Sequence, residues 1–290
     1  MKIKLIIVVS SVLLFTIIIT FSLLTPRKIF FPRENEIKTI NETDIDKKIE
    51  LITAKIKLFP DNLEHMVDLG VYYFVKGPKY YDIAINILHN AWKLGSTDIR
   101  IFYYLGCMYE FLKFYELAAI EYSKFLRNVP DDIEVLIRLG NVYYKLNKLN
   151  EAYIYLEKVL KRDKNNIVAL ANMGFLYYQN KNYDVSKEYF LKVVKLAQKR
   201  RITEPRNVNY YLGRIHYESK DYELAKEYFS QEQKNYPDNI ENSLYLVRTF
   251  YHLREYKSAY ELIIQLKELI PKNKELLSLE REIQKRLFKS

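Results

Sequence analysis

Five glycines recur at nearly equal intervals, each directly after a Leu or Met: Leu69-Gly70, Leu105-Gly106, Leu139-Gly140, Met173-Gly174 and Leu212-Gly213. They stand 36, 34, 34 and 39 residues apart. A glycine inside a helix costs ~1 kcal/mol relative to alanine, so five in one register answer a packing need. A small residue follows twelve positions after four of them, as Ala118, Ala152, Ser186 and Ala225. Ala84 follows Gly70 in the same way once two extra residues are allowed. An aromatic stands three or four residues after each glycine: Tyr73, Tyr109, Tyr143, Tyr177 and Tyr217. Pro130, Pro237 and Pro271 fall near the ends of units. A period near 34 predicts stacked helical units. With only 7 Gly and 8 Pro in 290 residues, the chain lacks the turn residues a β-rich fold requires.

The pattern resembles the tetratricopeptide repeat family, whose unit reads W-x2-L-G-x2-Y…A-x3-F…P over 34 residues. The stretch 133–166, with LGNVYYK followed by NEAYIYLEKVL, carries the likeness best. Six units are counted, 63–98, 99–132, 133–166, 167–205, 206–239 and 240–273, about 210 of the 290 residues. The tryptophan position holds Met66, Phe102, Leu136 and Leu170, then polar Asn209 and Ser243. The sixth unit has Val247 in place of glycine, and the fourth carries five extra residues before Arg206. The resemblance implies an all-α fold: an α-solenoid of about six helix-turn-helix repeats, wound as a right-handed superhelix. Each unit alone leaves an apolar face bare, so the ends need covers. Residues 42–62, with Ile45, Ile49, Ile52 and Ile56 on one stripe, read as an N-terminal capping helix or half repeat. Residues 274–290, with Leu276, Leu279, Ile283 and Leu287 at helical spacing, read as a C-terminal capping helix.

In this family the first helix of each unit lines a concave groove that binds peptides or protein segments. Carried over by register, that groove includes Tyr103, Cys107, Asn141, Tyr144, Lys145, Phe175, Tyr178, Tyr210, Arg214, Tyr217, Arg248 and Tyr251. Tyr144, Tyr178, Tyr217 and Tyr251 hold equivalent places in four consecutive units, so they form either a ladder of amphipathic rings for a bound segment or repeat packing. Asn141 and Lys145 match fragments of the family's carboxylate clamp. The preceding unit offers Tyr103, Cys107 and Glu110 instead, which argues against one.

Lys+Arg is 46 and Asp+Glu 36, a formal net charge of +10 spread along the chain. One cluster stands out around QKRRITEP: Lys192, Lys195, Lys199, Arg200, Arg201 and Arg206. It reads as the solvated end of a lengthened helix or as a contact for acidic protein or anionic headgroups. No nucleic-acid motif accompanies it. His65, His89, His216 and His252 lie far apart in sequence, and no H-E-x-x-H, glycine-rich phosphate loop or G-x-S-x-G elbow occurs. Cys107 is the only cysteine, which excludes a disulfide framework within the chain and a multi-cysteine zinc site. No catalysis, cofactor, metal or small-molecule substrate is expected.

After a four-residue tail, residues 5–24 read LIIVVSSVLLFTIIITFSLL with no charge. Twenty residues at 1.5 Å each make a helix of about 30 Å, the thickness of the bilayer core. A transmembrane signal-anchor is expected, with a cleaved signal peptide as the competing reading. Residues 25–41, with Pro26 and Pro32, read as a juxtamembrane linker. Lys2 and Lys4 before the stretch oppose Arg27, Lys28, Arg33 and Lys38 after it, so the positive-inside rule does not orient the helix by itself. The repeat domain is placed on the extracytoplasmic side, periplasmic in a bacterium, with the cytoplasmic side as the alternative. The expectation is a single-pass, membrane-anchored scaffold that holds a protein or peptide partner. The alternative is a cytoplasmic-side accessory or regulatory subunit of an envelope, secretion or enzyme complex.

Overall fold

The computed structural model describes residues 30–37 and 40–288, and these are helical apart from their turns, with no strand among them. The predicted tail 1–4, the apolar stretch 5–24 and the start of the linker lie outside the described residues. Among the described residues no helix is long and apolar enough to cross a membrane. The chain falls into two compact units, one ending at Tyr104 and the other beginning at Leu105.

The first unit holds α1 (Glu34–Ile37), α2 (Glu42–Leu58), α3 (Leu63–Lys76), α4 (Tyr81–Lys93) and the start of α5 (Arg100–Phe111). Ile45, Ile49 and Ile52 are the buried residues of α2, which packs on α3. The segment read as a linker is not free along its whole length: Phe30–Arg33 packs against α3 and α5.

The second unit holds the rest of α5, then α6 (Tyr115–Asn128), α7 (Ile133–Lys145), α8 (Leu149–Arg162), α9 (Ile167–Gln179) and α10 (Tyr183–Arg200). It continues through α11 (Val208–Glu218), α12 (Tyr222–Asn235), α13 (Ile240–His252), α14 (Tyr256–Leu269) and α15 (Lys274–Leu287). From α6 on, each helix packs on the next, and the odd-numbered helices α7, α9, α11, α13 and α15 also touch in sequence order. Leu276 and Ile283 bury the inner side of the last helix.

Two local devices set this rhythm. Short polar side chains cap the odd helices: Asp132 accepts from the Val135 amide (3.0 Å), Asn166 from Ala169 (3.0 Å), Asn239 from Asn242 (3.2 Å) and Asn273 from Leu276 (2.9 Å). Each such cap stabilises its helix by ~1 kcal/mol. The odd helices end on a residue at positive φ: Lys113, Asn147, Lys181, Lys220 and Arg254. The next amide then turns back to a carbonyl five residues earlier, as in Lys148 to Tyr143 and Asn182 to Tyr177 (both 2.9 Å), which satisfies a terminal carbonyl of the helix.

The repeated glycines make room for a large side chain on the following helix. A β-carbon on Gly106 would lie 2.5 Å from Tyr122, on Gly174 2.5 Å from Phe190 and on Gly213 2.6 Å from Phe229. The close partner is therefore the bulky residue sixteen positions on. The small residue at twelve is not what fills the space. Only at Gly140 is backbone among the nearest atoms, the Ala152 carbonyl at 3.6 Å. Ser186, which replaces alanine at the small position, donates its hydroxyl to the Gly174 carbonyl (2.8 Å). In the sixth unit the pair is exchanged in both members, Val247 with Ile263, and both are fully buried in one core cluster.

At the tryptophan position of the sixth unit Ser243 is accommodated by hydrogen bonds, whereas Asn209 in the fifth keeps a buried Nδ2 with no partner among the described residues. Ser243 donates to Gln233 (2.6 Å) and Asn242 to the Phe229 carbonyl (2.9 Å). Glu232, fully buried, accepts from the Asn207 amide (2.8 Å) and from Asn239 (3.2 Å). The five extra residues lengthen α10 to 18 residues and end it on Arg201 in the left-handed region.

Candidate functional site

The odd helices of the second unit present one face, read here by position relative to the repeat glycine. Position +1 carries Asn141, Phe175, Arg214 and Arg248, and position +4 carries Tyr144, Tyr178, Tyr217 and Tyr251. Position −2 carries Arg138, Asn172, Tyr211 and Tyr245. Helical residues three apart are neighbours on one side, so these positions form a continuous stripe.

At one end the stripe lines a cavity of about 380 Å³ whose wall includes Asn141, Tyr144, Lys145, Asn172, Phe175 and Tyr211. Asn172 donates to the Asn141 side-chain carbonyl (2.6 Å). Phe175 packs on Tyr211 (5.3 Å between ring centroids). Four of these six, Asn141, Tyr144, Lys145 and Phe175, are residues the sequence placed in the groove.

Farther along, an arginine stands among tyrosines. The Arg214 guanidinium lies 4.8 Å from the Tyr245 ring, 5.7 Å from Tyr178 and 5.9 Å from Tyr210. Its Nε is buried and has no hydrogen-bond partner among the described residues. Burial opposes the charge, but the phenolic oxygens of Tyr178, Tyr210 and Tyr245 outweigh it, and the guanidinium stays firmly protonated. Burial pushes the Tyr178 phenol up to about 12, against the pull of Arg214. Burial also raises Tyr144 and Tyr217, so all three remain neutral hydrogen-bond donors at ordinary pH. Arg248 covers the Tyr245 ring at 4.9 Å and pairs with Glu275 on α15.

The +4 tyrosines do not stack on one another. The −2 tyrosines bridge them: Tyr178 meets Tyr211 (4.5 Å) and Tyr217 meets Tyr245 (5.5 Å). Tyr211 and Tyr245 were absent from the sequence expectation, although their register, two residues before Gly213 and Val247, was visible. Tyr251 sits at the margin, edge-on to Tyr256 (5.9 Å).

Three expected groove residues, Tyr210, Tyr103 and Cys107, are interior. Tyr210 is buried between Phe229 and Tyr245 and approaches Glu241 through its hydroxyl (3.3 Å). Tyr103 belongs to the first unit, where Phe31 and Arg33 cover its ring. Position −3 points toward the neighbouring element, which explains both tyrosines. Cys107 is buried within reach of the Tyr122 hydroxyl (3.6 Å).

The basic cluster is only partly gathered. Lys195, Lys199, Arg200 and Arg201 are exposed on the last turns of α10 and just beyond. Arg200 donates to the Asn165 carbonyl (2.9 Å). Arg206 pairs with Asp238 (2.9 Å) and lies over Tyr236 (5.5 Å), so its charge is matched within the fold.

Residues 133–166, 167–200 and 208–239 each match a sequence family described as tetratricopeptide repeat. These are tetratricopeptide repeats. No curated protein matches the chain. Among solved structures, PilF of Pseudomonas aeruginosa superposes with a TM-score of 0.62 at 22% identity, over 76% of this chain and 97% of that one. PilW, described as a widely conserved type IV pilus biogenesis factor, superposes with a TM-score of 0.60 at 20% identity, over 75% and 97%. YrrB, described as a tetratricopeptide repeat protein with an unusual peptide-binding site, gives 0.52 at 18% identity, over 67% and 96%. At these identities the likeness is one of fold. The matched stretch 208–239 puts Arg214 on its first helix, α11.

Proposed function

We propose that the chain is a non-catalytic scaffold whose second unit holds an extended or helical segment of a partner protein along the α7–α9–α11–α13 face. The observation that carries this reading is Arg214: a charged side chain ringed by tyrosines, with a buried donor that no group among the described residues satisfies. A buried unsatisfied donor costs about 1–3 kcal/mol. An incoming carboxylate or carbonyl oxygen relieves that cost, and flat, neutral tyrosines supply contact area with little loss of rotamer freedom. Sequence and fold thus favour a partner segment that brings an acidic group to Arg214. The peptide-binding description of YrrB, a protein of similar fold, agrees with this reading.

The test is a photo-crosslinking residue at Lys145 in living cells, compared with the same probe in the Arg214→Ala background. The captured protein should be lost with Arg214→Ala and kept with Lys199→Ala, while the melting temperature is unchanged in both. Capture that persists in Arg214→Ala overturns the assignment of this face.

The same proposal includes a tether: residues 5–24 span a membrane and the repeats lie on its extracytoplasmic side. Support comes from the uncharged twenty-residue run itself. A cysteine at exposed position 47, in a Cys107→Ser background, reports the side. Labelling of intact cells by an impermeant thiol reagent supports the placement. Labelling only after lysis transfers the chain to the cytoplasmic-side accessory role.

A further inference from the structure

The first unit carries on its own inner face a peptide that belongs to the same chain. Phe30–Arg33 runs without regular secondary structure across α3 and the beginning of α5, before α1 starts at Glu34. Its backbone is read at regular intervals. The Phe30 carbonyl accepts from the Arg100 guanidinium (2.9 Å), and the Pro32 carbonyl accepts from the Tyr104 hydroxyl (2.9 Å). The Glu34 amide donates to the Tyr103 hydroxyl (3.2 Å). Carbonyls two residues apart facing one side are the pattern of an extended chain.

The side chains are read as well. Phe30 stacks on Tyr72 (4.6 Å between centroids, planes within 8°). Phe31 meets Tyr103 and Tyr104 edge-on (5.3 and 5.7 Å). Pro32 is buried, and the Arg33 guanidinium lies 4.5 Å from the Phe31 ring and 4.6 Å from Tyr103. The receiving surface is built in advance. Arg100, only 2% exposed, is held by Asp98 and Asp68, each at 2.7 Å, and so presents its remaining donor in a fixed direction. Asp68 and Tyr104 sit two residues before Gly70 and Gly106, the register that Tyr211 and Tyr245 occupy in the second unit.

We propose that this face is a binding site for an extended aromatic-aromatic-proline-arginine segment, filled in cis by Phe30–Glu34. The occupant is specified by three backbone hydrogen bonds, two aromatic seats and one guanidinium stack. Covalent attachment raises its effective concentration into the millimolar range, so the face is closed to outside segments. The inference concerns the first unit alone and stands apart from the reading of Arg214.

The test uses the detergent-solubilised full chain and a labelled synthetic peptide with the sequence of residues 28–36. The peptide should bind Phe30→Ser/Phe31→Ser at least about tenfold more tightly than wild type, because the double variant vacates the seats. Equal binding to both, or binding to neither, overturns the proposal. A second measurement does not depend on that variant folding. Hydrogen exchange of the wild-type chain should show the Glu34 amide protected, and Tyr104→Phe should speed exchange at residues 31–34 while that of α3 is unchanged. Unprotected exchange at Glu34 in wild type overturns the proposal.

Discussion

The ring of Phe190 lies so close to Gly174 that a β-carbon on residue 174 would sit 2.5 Å from it. Phe190 is fully buried, and its ring has no room to retreat. Gly174→Ala is therefore expected to lose up to about 2 kcal/mol, as overpacking of about 1–3 kcal/mol outweighs the gain of ~1 kcal/mol in helix propensity. At Gly140 the neighbour is the flexible end of Leu156 at 3.0 Å. Gly140→Ala should be near neutral. Urea denaturation of the two variants gives the comparison, and Phe190→Leu should rescue part of the loss in Gly174→Ala.

Burial raises the Glu232 carboxyl, against the lowering effect of hydrogen bonds from Asn207 and Asn239. Above its unfolded pKa the unfolded chain has released this proton while the folded chain still holds it. Stability therefore falls as pH rises from the ordinary glutamate value through the raised one. Glu232→Gln should flatten that part of the stability profile and leave the protein more stable than wild type at neutral pH. Chemical denaturation between pH 4 and 8 reads both.

The Tyr178 phenol, at about 12, gives an alkaline counterpart. The unfolded chain loses this proton near pH 10 and the folded chain near 12, so stability drops across that window. Tyr178→Phe should make the decline shallower, and the ultraviolet titration of the variant should lack one late-ionising tyrosine.

Lys220 and Arg254 end their helices at φ 60° and 63°. A left-handed conformation costs a residue with a β-carbon about 1–2 kcal/mol, and glycine escapes it at some cost in unfolded-state entropy. Lys220→Gly and Arg254→Gly should each stabilise the fold by about 0.5–1 kcal/mol. The same change at exposed Lys195, inside α10, should cost ~1 kcal/mol. Thermal melts of the three variants check the contrast in sign.

The repeat was legible because Gly106, Gly174 and Gly213 each answer to a ring sixteen residues later, and that need recurs with the period of the fold. Val247 departs from the glycine register together with its partner Ile263, so the exchange shows only when both positions are compared. The helix ends were harder to read. Gly77, seven residues after Gly70, stands at positive φ, but later units place Lys, Asn or Arg in that position, so composition gives no turn signal. The candidate face was half legible. Position +4 is marked by tyrosine in the third to sixth units, whereas position −2 there mixes Arg, Asn and Tyr and hides Tyr211 and Tyr245. Tyr103 and Tyr210 stand at position −3, one residue off the stripe, where a covering element takes them out of solvent. For Tyr103 that element is Phe31, in a stretch with no periodicity to announce it.

Because Phe30–Glu34 precedes α2 in the chain, the segment also determines where mechanical load enters. Tension arriving from the N-terminal side must first slide two aromatic rings out of their seats and break the hydrogen bonds at Arg100, Tyr104 and Tyr103. Until it does, the strain is borne by α3 and the head of α5, and the end of α2 is shielded from being peeled away one turn at a time.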